Sequence, residues 1–561
     1  MTKVFSVKMT KTNVKRLILL SIILLAAFLR FYKLDWGEGH FFHPDEYHIT
    51  ISVNQLSFPD QMNPNLFSYG SFVVYINYFT RAVFGHDLSP FLVGRFYSAA
   101  FSTLTVYLTF LIGRLIFRKK INAYLSALLV ALLPGLIQQA HFSAPESSLT
   151  FFLTLILYLW LKYSKENKLR FLILSELSLG LATATKVVAL TFLPILIIAP
   201  FLDKFFKKTL NIKTVLLSLK EAVLSVLVAS IAFLATFPYA IIDWSHFKNS
   251  FLYESGLGRG EQIVFYTRLF QNTKPYLFQF TKIFPFTLGW AVFILGLAGM
   301  AIIAFEIARS LFKKDAHAAR LTLVLLSFLA YFIPMGSLYL KWTRFMHPTF
   351  VFFPLFAIYF TDFLENKVFN ERKWLVNALF KTPLIACTLV WSVVFFSVYL
   401  EKDVRLTATD WVDENIPKDS YILTETGNTL EVPLKGTYQK NAFDFYNLEK
   451  SDTIQRQLAE ELTRADIFIV QSRRLFYNHL RLSQKYPITA GFYGALASEN
   501  MGFKMIKEFT SYPNLQLGKW SVVVPDEWAE ETWSVFDHPV IRVYKKTKQL
   551  KISDYEEILG I

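Results

Sequence analysis

Long apolar runs fill the first 400 residues and constrain the fold more than any other feature. A helix needs about 20 largely apolar residues to cross a bilayer, and fewer when its polar ends reach the interface. About eleven runs meet this requirement. They lie near 17–34, 91–117, 121–137, 147–161, 169–184, 187–201, 222–237, 288–307, 321–340, 349–363 and 375–400. Because only 18% of the residues are charged and 53% are hydrophobic, we predict an α-helical polytopic membrane protein.

Basic residues between the runs predict the orientation. Short Lys- and Arg-rich connections favour the cytoplasmic side. With the N-terminus in the cytoplasm, every cytoplasmic connection is short and basic; they are RKK (118–120), KENK (165–168), DKFFKKTLNIK (203–213), RSLFKKDAHAAR (309–320) and ENKVFNERK (365–373). Two long connections, 33–90 and 238–286, then lie outside. The N-terminus, MTKVFSVKMTKTNVKR, lacks a small-residue cleavage site, which predicts a retained cytoplasmic tail and first anchor.

The chain changes character at residue 401. Alternating apolar stretches such as ADIFIVQS and PVIRVYKK predict strands, and DTIQRQLAEELTRA predicts a helix. We therefore predict a membrane domain at 1–400 and a soluble α/β domain at 401–561, the latter outside the cell. Residues 401–561 carry 20 Lys and Arg against 24 Asp and Glu, whereas 1–400 carry 38 against 19. This excess of positive charge favours lipid headgroups or phosphates as partners and not nucleic acid. The single cysteine, Cys387, excludes a disulfide framework.

Charged and polar residues gather at the predicted outer surface from separate parts of the chain. Each lies in or beside an outer connection; they are His43, Asp45 and Glu46 (FFHPDEYHIT), His141 and Glu146 (HFSAPESS), Lys186 (GLATATKVVAL), Arg259 and Arg268 (GLGRGEQIVFYTR), and Lys341 and Arg344 (YLKWTRFMHP). Ionisable groups at membrane depth are usually paired and functional. Together these side chains predict a site with carboxylates facing a basic, phosphate-binding set.

Structural explanations compete with this interpretation at each position. Asp45, Glu46 and Glu146 each follow a proline closely, where acidic groups in a first helical turn favour the helix dipole. Lys341 and Arg344 have the character of interfacial residues that extend toward water. Two more nearby residues also have structural explanations: Arg95 as an ion-pair partner, and His43 as a helix cap or hydrogen-bond partner.

The chemistry of a lipid-phosphate sugar fits the charged set. Lys and Arg at headgroup level neutralise a phosphate leaving group, and a carboxylate accepts the proton of an attacking hydroxyl. Asp45 and Glu46 are adjacent, so on a helix their side chains point about 100° apart. One base and one orienting or metal-binding group is the expected division of roles.

The sequence resembles a glycosyltransferase family. The HPDE segment (43–46) is similar to the Asp–Glu motif of the GT-C protein O-mannosyltransferases and bacterial aminoarabinose transferases. Four more segments follow in the family's order; they are LVGRFYSAAFSTLTVYLTFLIGRLIF (92–117), QQAHFSAPESSLTFF (138–152), GLATATKVVALTFLP (180–194) and KWTRFMHPTFVFFPLFA (341–357). The resemblance covers about residues 15–400. The tail resembles outer α/β domains appended to many bacterial and archaeal members and lacks the β-trefoil domain of the eukaryotic enzymes.

The resemblance implies a GT-C fold and roles for single residues. Asp45 is implied as the catalytic base, with Glu46 as its partner at the acceptor or at a metal. Lys186 and Arg344 match positions associated with the lipid phosphate. Glu146 stands where the family often has Asp, and it is assigned with His141 and His43 to an acceptor or metal site. Arg259, Arg268 and Lys341 are further predicted donor-phosphate ligands, not carried over from the family.

The function predicted is inverting transfer of a sugar from a polyprenyl-phosphate donor to an acceptor hydroxyl on a lipid, glycan or protein at the outer face of the cell membrane. No cofactor is required by the sequence, and a divalent metal is left open. One alternative is a transporter or flippase of lipid-linked sugars, which typically carries its charges near mid-membrane in repeated halves. Others are a GT-C oligosaccharyltransferase or polymerase, and a receptor role for the outer domain.

Overall fold

The computed structural model describes residues 11–311, 313, 315–426 and 431–561. The predicted cytoplasmic tail at 1–10 lies outside the described residues. The chain forms two compact units. The membrane unit comprises the chain up to Leu34, Asp45–Arg259 and Pro275–Val393, and the C-terminal unit comprises Asp35–Pro44, Gly260–Lys274 and Val394–Ile561. Two short segments, Asp35–Pro44 and Gly260–Lys274, therefore belong to the C-terminal unit, although residues of the membrane unit precede and follow each of them in the sequence.

The first seventeen α-helices and the first part of the eighteenth build the membrane unit, while the end of the eighteenth, from Val394 on, belongs to the C-terminal unit. These helices are α1 (Lys11–Phe31), α2 (Pro44–Asn54), α3 (Phe72–Phe84), α4 (Pro90–Ile116), α5 (Lys120–Ala131), α6 (Pro134–Ala140), α7 (Glu146–Glu166), α8 (Leu169–Thr185), α9 (Leu193–Phe206), α10 (Ile212–Thr236), α11 (Tyr239–Ile242), α12 (Trp244–Arg259), α13 (Phe284–Leu288), α14 (Trp290–Ser310), α15 (Ala316–Ser337), α16 (Phe352–Phe363), α17 (Lys373–Val376) and α18 (Thr382–Leu400). Short 3-10 segments at Val187–Phe192 and Thr343–Thr349 precede α9 and α16. Their apolar side chains form one large buried core.

The number of membrane spans is lower than the predicted eleven. Among the described residues, seven helices are long and apolar enough to cross a bilayer, or up to nine if each of two bent helix pairs is one span. The remaining two predicted runs are α1 and α8. Helix α1 carries Lys15, Arg16 and Arg30, and the 17 residues of α8 give about 26 Å of helix, less than the bilayer core. The prediction of a multi-pass membrane protein is confirmed, with fewer full-length spans.

The C-terminal unit is an α/β structure, as the sequence predicts. Its helices are α19 (Val404–Asn415), α20 (Asp452–Arg464), α21 (Phe476–Arg481), α22 (Pro487–Ala497), α23 (Glu531–Ser534) and α24 (Ile552–Leu559). Its strands are β1 (Tyr421–Glu425), β2 (Gln439–Phe443), β3 (Ile467–Val470), β4 (Phe503–Phe509), β5 (Asn514–Leu517), β6 (Trp520–Val523) and β7 (Ile541–Lys546). Predicted strands ADIFIVQS and PVIRVYKK correspond to β3 and β7.

A mixed five-stranded sheet forms the centre of this unit, in the order β2-β1-β3-β7-β4. Strand β1 pairs in parallel with β2 and β3, and β7 pairs antiparallel with β3 and β4. All four residues of β3 are buried, which explains its continuous apolar sequence, since a central strand covered on both faces does not alternate.

Candidate active site

Asp45 lies in the first turn of α2 and is buried. Its Oδ2 accepts a hydrogen bond of 2.7 Å from Nη1 of Arg344, which lies in the 3-10 segment before α16. The Tyr69 hydroxyl donates a second hydrogen bond to this carboxylate. Burial and the neighbouring Asp45 and Glu146 carboxylates raise the pKa of Tyr69 well above its usual range. The phenol therefore stays protonated and remains a donor to Asp45.

Glu46, the next residue, is fully buried and points to a different set of partners. Arg95 of α4 donates from Nε to Oε1 at 2.7 Å and from Nη2 to Oε2 at 2.8 Å. The Ser143 N–H donates to the same Oε1 at 2.8 Å. A Cβ on Gly94 would lie 1.8 Å from the Ser143 hydroxyl oxygen, so only glycine lets α4 approach the Ser143 side chain so closely. The predicted pairing of Arg95 with a carboxylate is confirmed.

Glu146 and Lys186 form a second ion pair next to Asp45. Glu146 begins α7 and is 1% exposed, and Lys186 follows the last residue of α8 with an extended backbone. Nζ of Lys186 lies 2.7 Å from Oε1 of Glu146 and 5.5 Å from the centre of the Tyr69 ring. The second oxygen of Glu146, Oε2, is buried and has no hydrogen-bond partner among the described residues. One oxygen of this carboxylate therefore has unused hydrogen-bonding capacity.

The loop before α3 brings Tyr69 to this pair. The Gly70 N–H donates to the Thr185 carbonyl oxygen at 3.1 Å, so the residues before and after this bond, Tyr69 and Lys186, become neighbours. A Cβ on Gly70 would lie 1.8 Å from the Ala184 carbonyl oxygen. The loop can reach α8 only because position 70 has no side chain.

One more carboxylate lies nearby. Glu254 on α12 interacts electrostatically with Lys186, Arg344 and Asp45, and its side chain is exposed. Within the cluster, Arg344 also stacks 4.8 Å from the Trp342 ring, and its Nε is buried without a partner among the described residues. The arrangement joins two cations, each held by a carboxylate, and Arg344 keeps one donor, Nε, without a partner among the described residues.

The other three predicted phosphate ligands, Lys341, Arg259 and Arg268, have surroundings that differ from those of Lys186 and Arg344. Lys341 is buried and its Nζ donates to the Tyr339 carbonyl oxygen at 2.8 Å. Burial lowers the pKa of Lys341 to about 8. Arg259 ends α12 and is exposed. Arg268 belongs to the C-terminal unit, where its guanidinium donates to the Tyr446 carbonyl oxygen at 2.7 Å.

The predicted acceptor or metal residues separate as well. His141 is buried, and its Nδ1 and Nε2 face the carbonyl oxygens of Ile137 and Tyr32 at 2.8 and 3.1 Å. His43 belongs to the C-terminal unit and packs 4.4 Å from the Phe536 ring. Within the residues that the structure describes, no group of three or more His, Cys, Asp or Glu side chains is arranged to hold a metal ion.

Three site residues were not found from the sequence. Tyr69 and Glu254 lie in long connections without a motif around them. His347 is buried beside α7, with Nδ1 2.6 Å from the Thr150 hydroxyl. The only sequence signal for His347 was the HPT segment (347–349), which begins three residues after Arg344. A histidine at a helix break and close to a charged residue is a candidate for a polar site.

The fold of this chain is similar to that of solved multi-pass membrane proteins. The oligosaccharyltransferase of Archaeoglobus fulgidus, solved with a tethered acceptor peptide, has a TM-score of 0.53 at 15% identity, over 86% of this chain and 72% of that one. ArnT from Cupriavidus metallidurans in the apo state has a TM-score of 0.50 at 14% identity, over 84% of this chain and 95% of that one. The chain is thus a multi-pass integral membrane protein with an ArnT-like GT-C fold.

The sequence match is more specific than the fold. Residues 20–248 match the family model of the dolichyl-phosphate-mannose-protein mannosyltransferases. A protein of Aquifex aeolicus (strain VF5), described as uncharacterized, is 38% identical over 92 residues. That alignment covers 16% of this chain and 18% of the relative's length. The matched family model is of the type that the sequence resembles.

Proposed function

We propose that this protein transfers a sugar from a polyprenyl-phosphate donor to an acceptor hydroxyl, with inversion, at the outer face of the membrane. One observation carries the proposal: Asp45 and Glu146 are buried at helix starts, and each is held 2.7 Å from a cation, Arg344 or Lys186. Carboxylates and phosphate-binding cations are the two kinds of group that this reaction needs.

Asp45 is the proposed catalytic base. The acceptor O–H transfers its proton to the Asp45 carboxylate as the oxygen bonds to the anomeric carbon, and the bond from that carbon to the phosphate oxygen breaks. Tyr69 and Arg344 orient the carboxylate before the reaction. Polyprenyl phosphate leaves with the bonding electrons.

Lys186 and Arg344 are the proposed ligands of the donor phosphate. Negative charge builds on the leaving oxygen as the sugar departs, and fixed cations stabilise that charge more in the transition state than in the ground state. Both residues lie at helix breaks, Lys186 after α8 and Arg344 before α16, so their backbones are outside regular helix. The unpartnered Nε of Arg344 gives it a free donor for a phosphate oxygen.

Inversion is part of the proposal because a single displacement by the acceptor oxygen inverts the anomeric carbon, and Glu46 is not placed to act as a second nucleophile. A retaining enzyme of the common type needs a second carboxylate as nucleophile. Both oxygens of Glu46 accept hydrogen bonds from Arg95, and Oε1 accepts a further one from Ser143. We therefore assign Glu46 to holding α2 against α4 and not to the reaction.

The proposed side of the membrane is inferred from the distribution of basic residues, and the proposed binding of a hydroxyl from an oxygen of Glu146. The short basic connections favour the side opposite the site, which puts Asp45 outside the cytoplasm. The unpartnered Oε2 of Glu146 is a hydrogen-bond acceptor for a hydroxyl of the donor sugar or of the acceptor.

Purified protein tests the proposal with a panel of labelled polyprenyl-phosphate monosaccharides and candidate acceptors. Released polyprenyl phosphate and the anomeric configuration of the product are measured for the wild type and Asp45→Asn. The expected result is release with one donor, an inverted product, and loss of release in the variant. Release that persists in Asp45→Asn removes the base assignment. Movement of an intact lipid-linked sugar across liposomes without release would support a flippase instead.

A further inference from the structure

The ten residues that precede the acid pair belong to the C-terminal unit. Trp36, Phe42 and His43 are buried there, at 3%, 2% and 1% exposure. This segment continues directly into α2, which begins at Pro44 and carries Asp45 in its first turn. The chain that delivers the proposed base is therefore packed inside the C-terminal unit up to the residue before it.

Arg405 of α19 holds this segment. Its guanidinium carbon lies 3.6 Å from the centre of the Phe42 ring and 5.9 Å from that of Trp36. The other face of the side chain is fixed by Asp403, which accepts from Nε at 2.9 Å and from Nη2 at 2.7 Å. Arg405 and the Asp403 side chain are both 0% exposed. A bidentate, fully buried pair sets the plane of the guanidinium, and thereby the position of the aromatic ring upon it.

The Phe536–His538 loop closes the same contact from a second direction. The Phe536 carbonyl oxygen accepts from Arg405 Nη2 at 2.6 Å, and the Phe536 ring packs 4.4 Å from the His43 ring. His538 anchors this loop between Asp537 and Asp526, at 2.6 and 2.9 Å. Although burial opposes its charge, the two carboxylates raise the pKa of His538 to about 10.

These buried charges are not part of the proposed reaction chemistry. Burying an ion pair is costly, and an apolar pair of the same volume often stabilises a fold equally well. A buried ion pair of defined geometry, such as the clamp formed by Arg405 and Asp403, is expected where the fold has to hold a neighbouring group in one position. The link from the clamp to the base is short and stiff, because it consists of His43 and Pro44, and proline fixes its own φ.

We propose that Arg405 is a positioning residue for the transfer reaction: it holds Phe42 in the C-terminal unit and thereby fixes the chain that enters α2 with Asp45. The inference rests on the proposed role of Asp45 as the base. It assigns to the C-terminal unit a direct task in catalysis, namely restraint of the segment 35–44, without contact between Arg405 and the substrate.

The test compares four variants of the full-length protein. Arg405→Met removes the charge and planar donors at similar length, Arg405→Lys restores the charge, and Phe42→Leu removes the ring. Arg464→Met is the matched control, because Arg464 stacks 4.8 Å from the Tyr421 ring in the same unit, away from this segment. Each variant is measured for kcat, for donor KM and for hydrogen exchange of the backbone amides at 36–54.

Arg405→Met is expected to lower kcat by about ten- to a hundredfold, since a misplacement of about 1 Å costs rates of that order, while donor KM stays within about twofold. Exchange at 36–54 should become faster, Arg405→Lys should recover part of kcat, and Phe42→Leu should behave like Arg405→Met. Arg464→Met should match the wild type in all three measurements.

Two results overturn the inference. One is wild-type kcat and exchange in both Arg405→Met and Phe42→Leu. The other is a lower melting temperature with unchanged kcat per folded molecule, which would make Arg405 a stabilising residue only. If Arg405→Met does not fold, Phe42→Leu decides. A wild type that releases no donor lipid overturns the proposed function instead, and exchange at 36–54, which needs no substrate, still decides whether the restraint exists.

Discussion

The two ends of α4 offer an instructive comparison, because charged residues from distant parts of the chain meet at both. Beyond its last turn, Glu365 Oε2 accepts from Lys119 at 2.8 Å and from Lys381 at 2.6 Å. Near its first turns lie the pairs built on Asp45 and Glu146. Charge clustering alone therefore does not distinguish a site from an ordinary membrane rim.

The difference is the hydrogen-bonding capacity left over. Around Glu365 a single carboxylate has two lysines, and this excess of partners is typical of a structural pair. At the other end, Glu146 Oε2 and Arg344 Nε are buried without partners among the described residues. Buried polar atoms are normally paired, so the unfilled capacity of these two ion-paired groups, Glu146 and Arg344, points to a ligand.

The largest expected difference in turnover is between Asp45→Asn and Glu365→Gln. Loss of a general base typically lowers the rate by about 10²–10⁴-fold, so Asp45→Asn should lose nearly all release of polyprenyl phosphate while remaining folded. Glu365→Gln should keep kcat within about twofold, because its charge is used only for packing. Turnover assays on both purified variants measure this. Equal losses of activity would show that the two ends do not differ in function.

Arg95→Met should act on stability. It leaves the fully buried Glu46 carboxylate without its ion-pair partner, and removal of one member of such a pair typically costs about 3–5 kcal/mol. We expect a clear drop in melting temperature in detergent. The double variant Arg95→Met with Glu46→Gln is the control and should recover part of the loss. A melting temperature equal to that of the wild type in Arg95→Met would contradict the assignment of Glu46 to the fold.

Lys186→Met and Arg344→Met should weaken donor binding together with turnover. Each removes one charged hydrogen bond to the proposed phosphate, of about 1.5–3 kcal/mol, which corresponds to about ten- to a hundredfold in kcat/KM for the donor. Lys119→Met, at the other end of α4, is the matched control. Titration with polyprenyl phosphate as inhibitor separates binding from chemistry; unchanged inhibition in both variants would remove the phosphate assignment.

Glu254→Gln should produce the smallest effect and the opposite sign. This exposed carboxylate competes with a phosphate for Lys186 and Arg344. Exposed pairs contribute about 0–1 kcal/mol, so its neutralisation should lower donor KM by up to about fivefold. The same titration measures it at low and high salt. A higher donor KM would mean instead that Glu254 binds the substrate directly.

Much of the architecture was predictable from local pattern. Hydrophobic run length determined the membrane helices, since the bilayer core requires it, and ADIFIVQS and PVIRVYKK are the strands β3 and β7. The prediction counted α1 and α8 as full spans. Charged residues in α1 and the short length of α8 make each less suited to crossing the bilayer, but both segments still form helices. The pairing of Arg95 with a carboxylate was also predictable from one arginine inside an apolar run.

By itself, the sequence determined the membrane class, the α/β tail, and the presence of acids and bases in outer connections. Only the tertiary structure decided which acid meets which base. Asp45 pairs with Arg344, almost 300 residues away in the chain, Tyr69 joins them through the contact that Gly70 permits, and the segment before Asp45 is clamped by Arg405. The physical reason is that periodicity and composition report on burial along one element, whereas an ion pair between elements depends on how their ends are packed together.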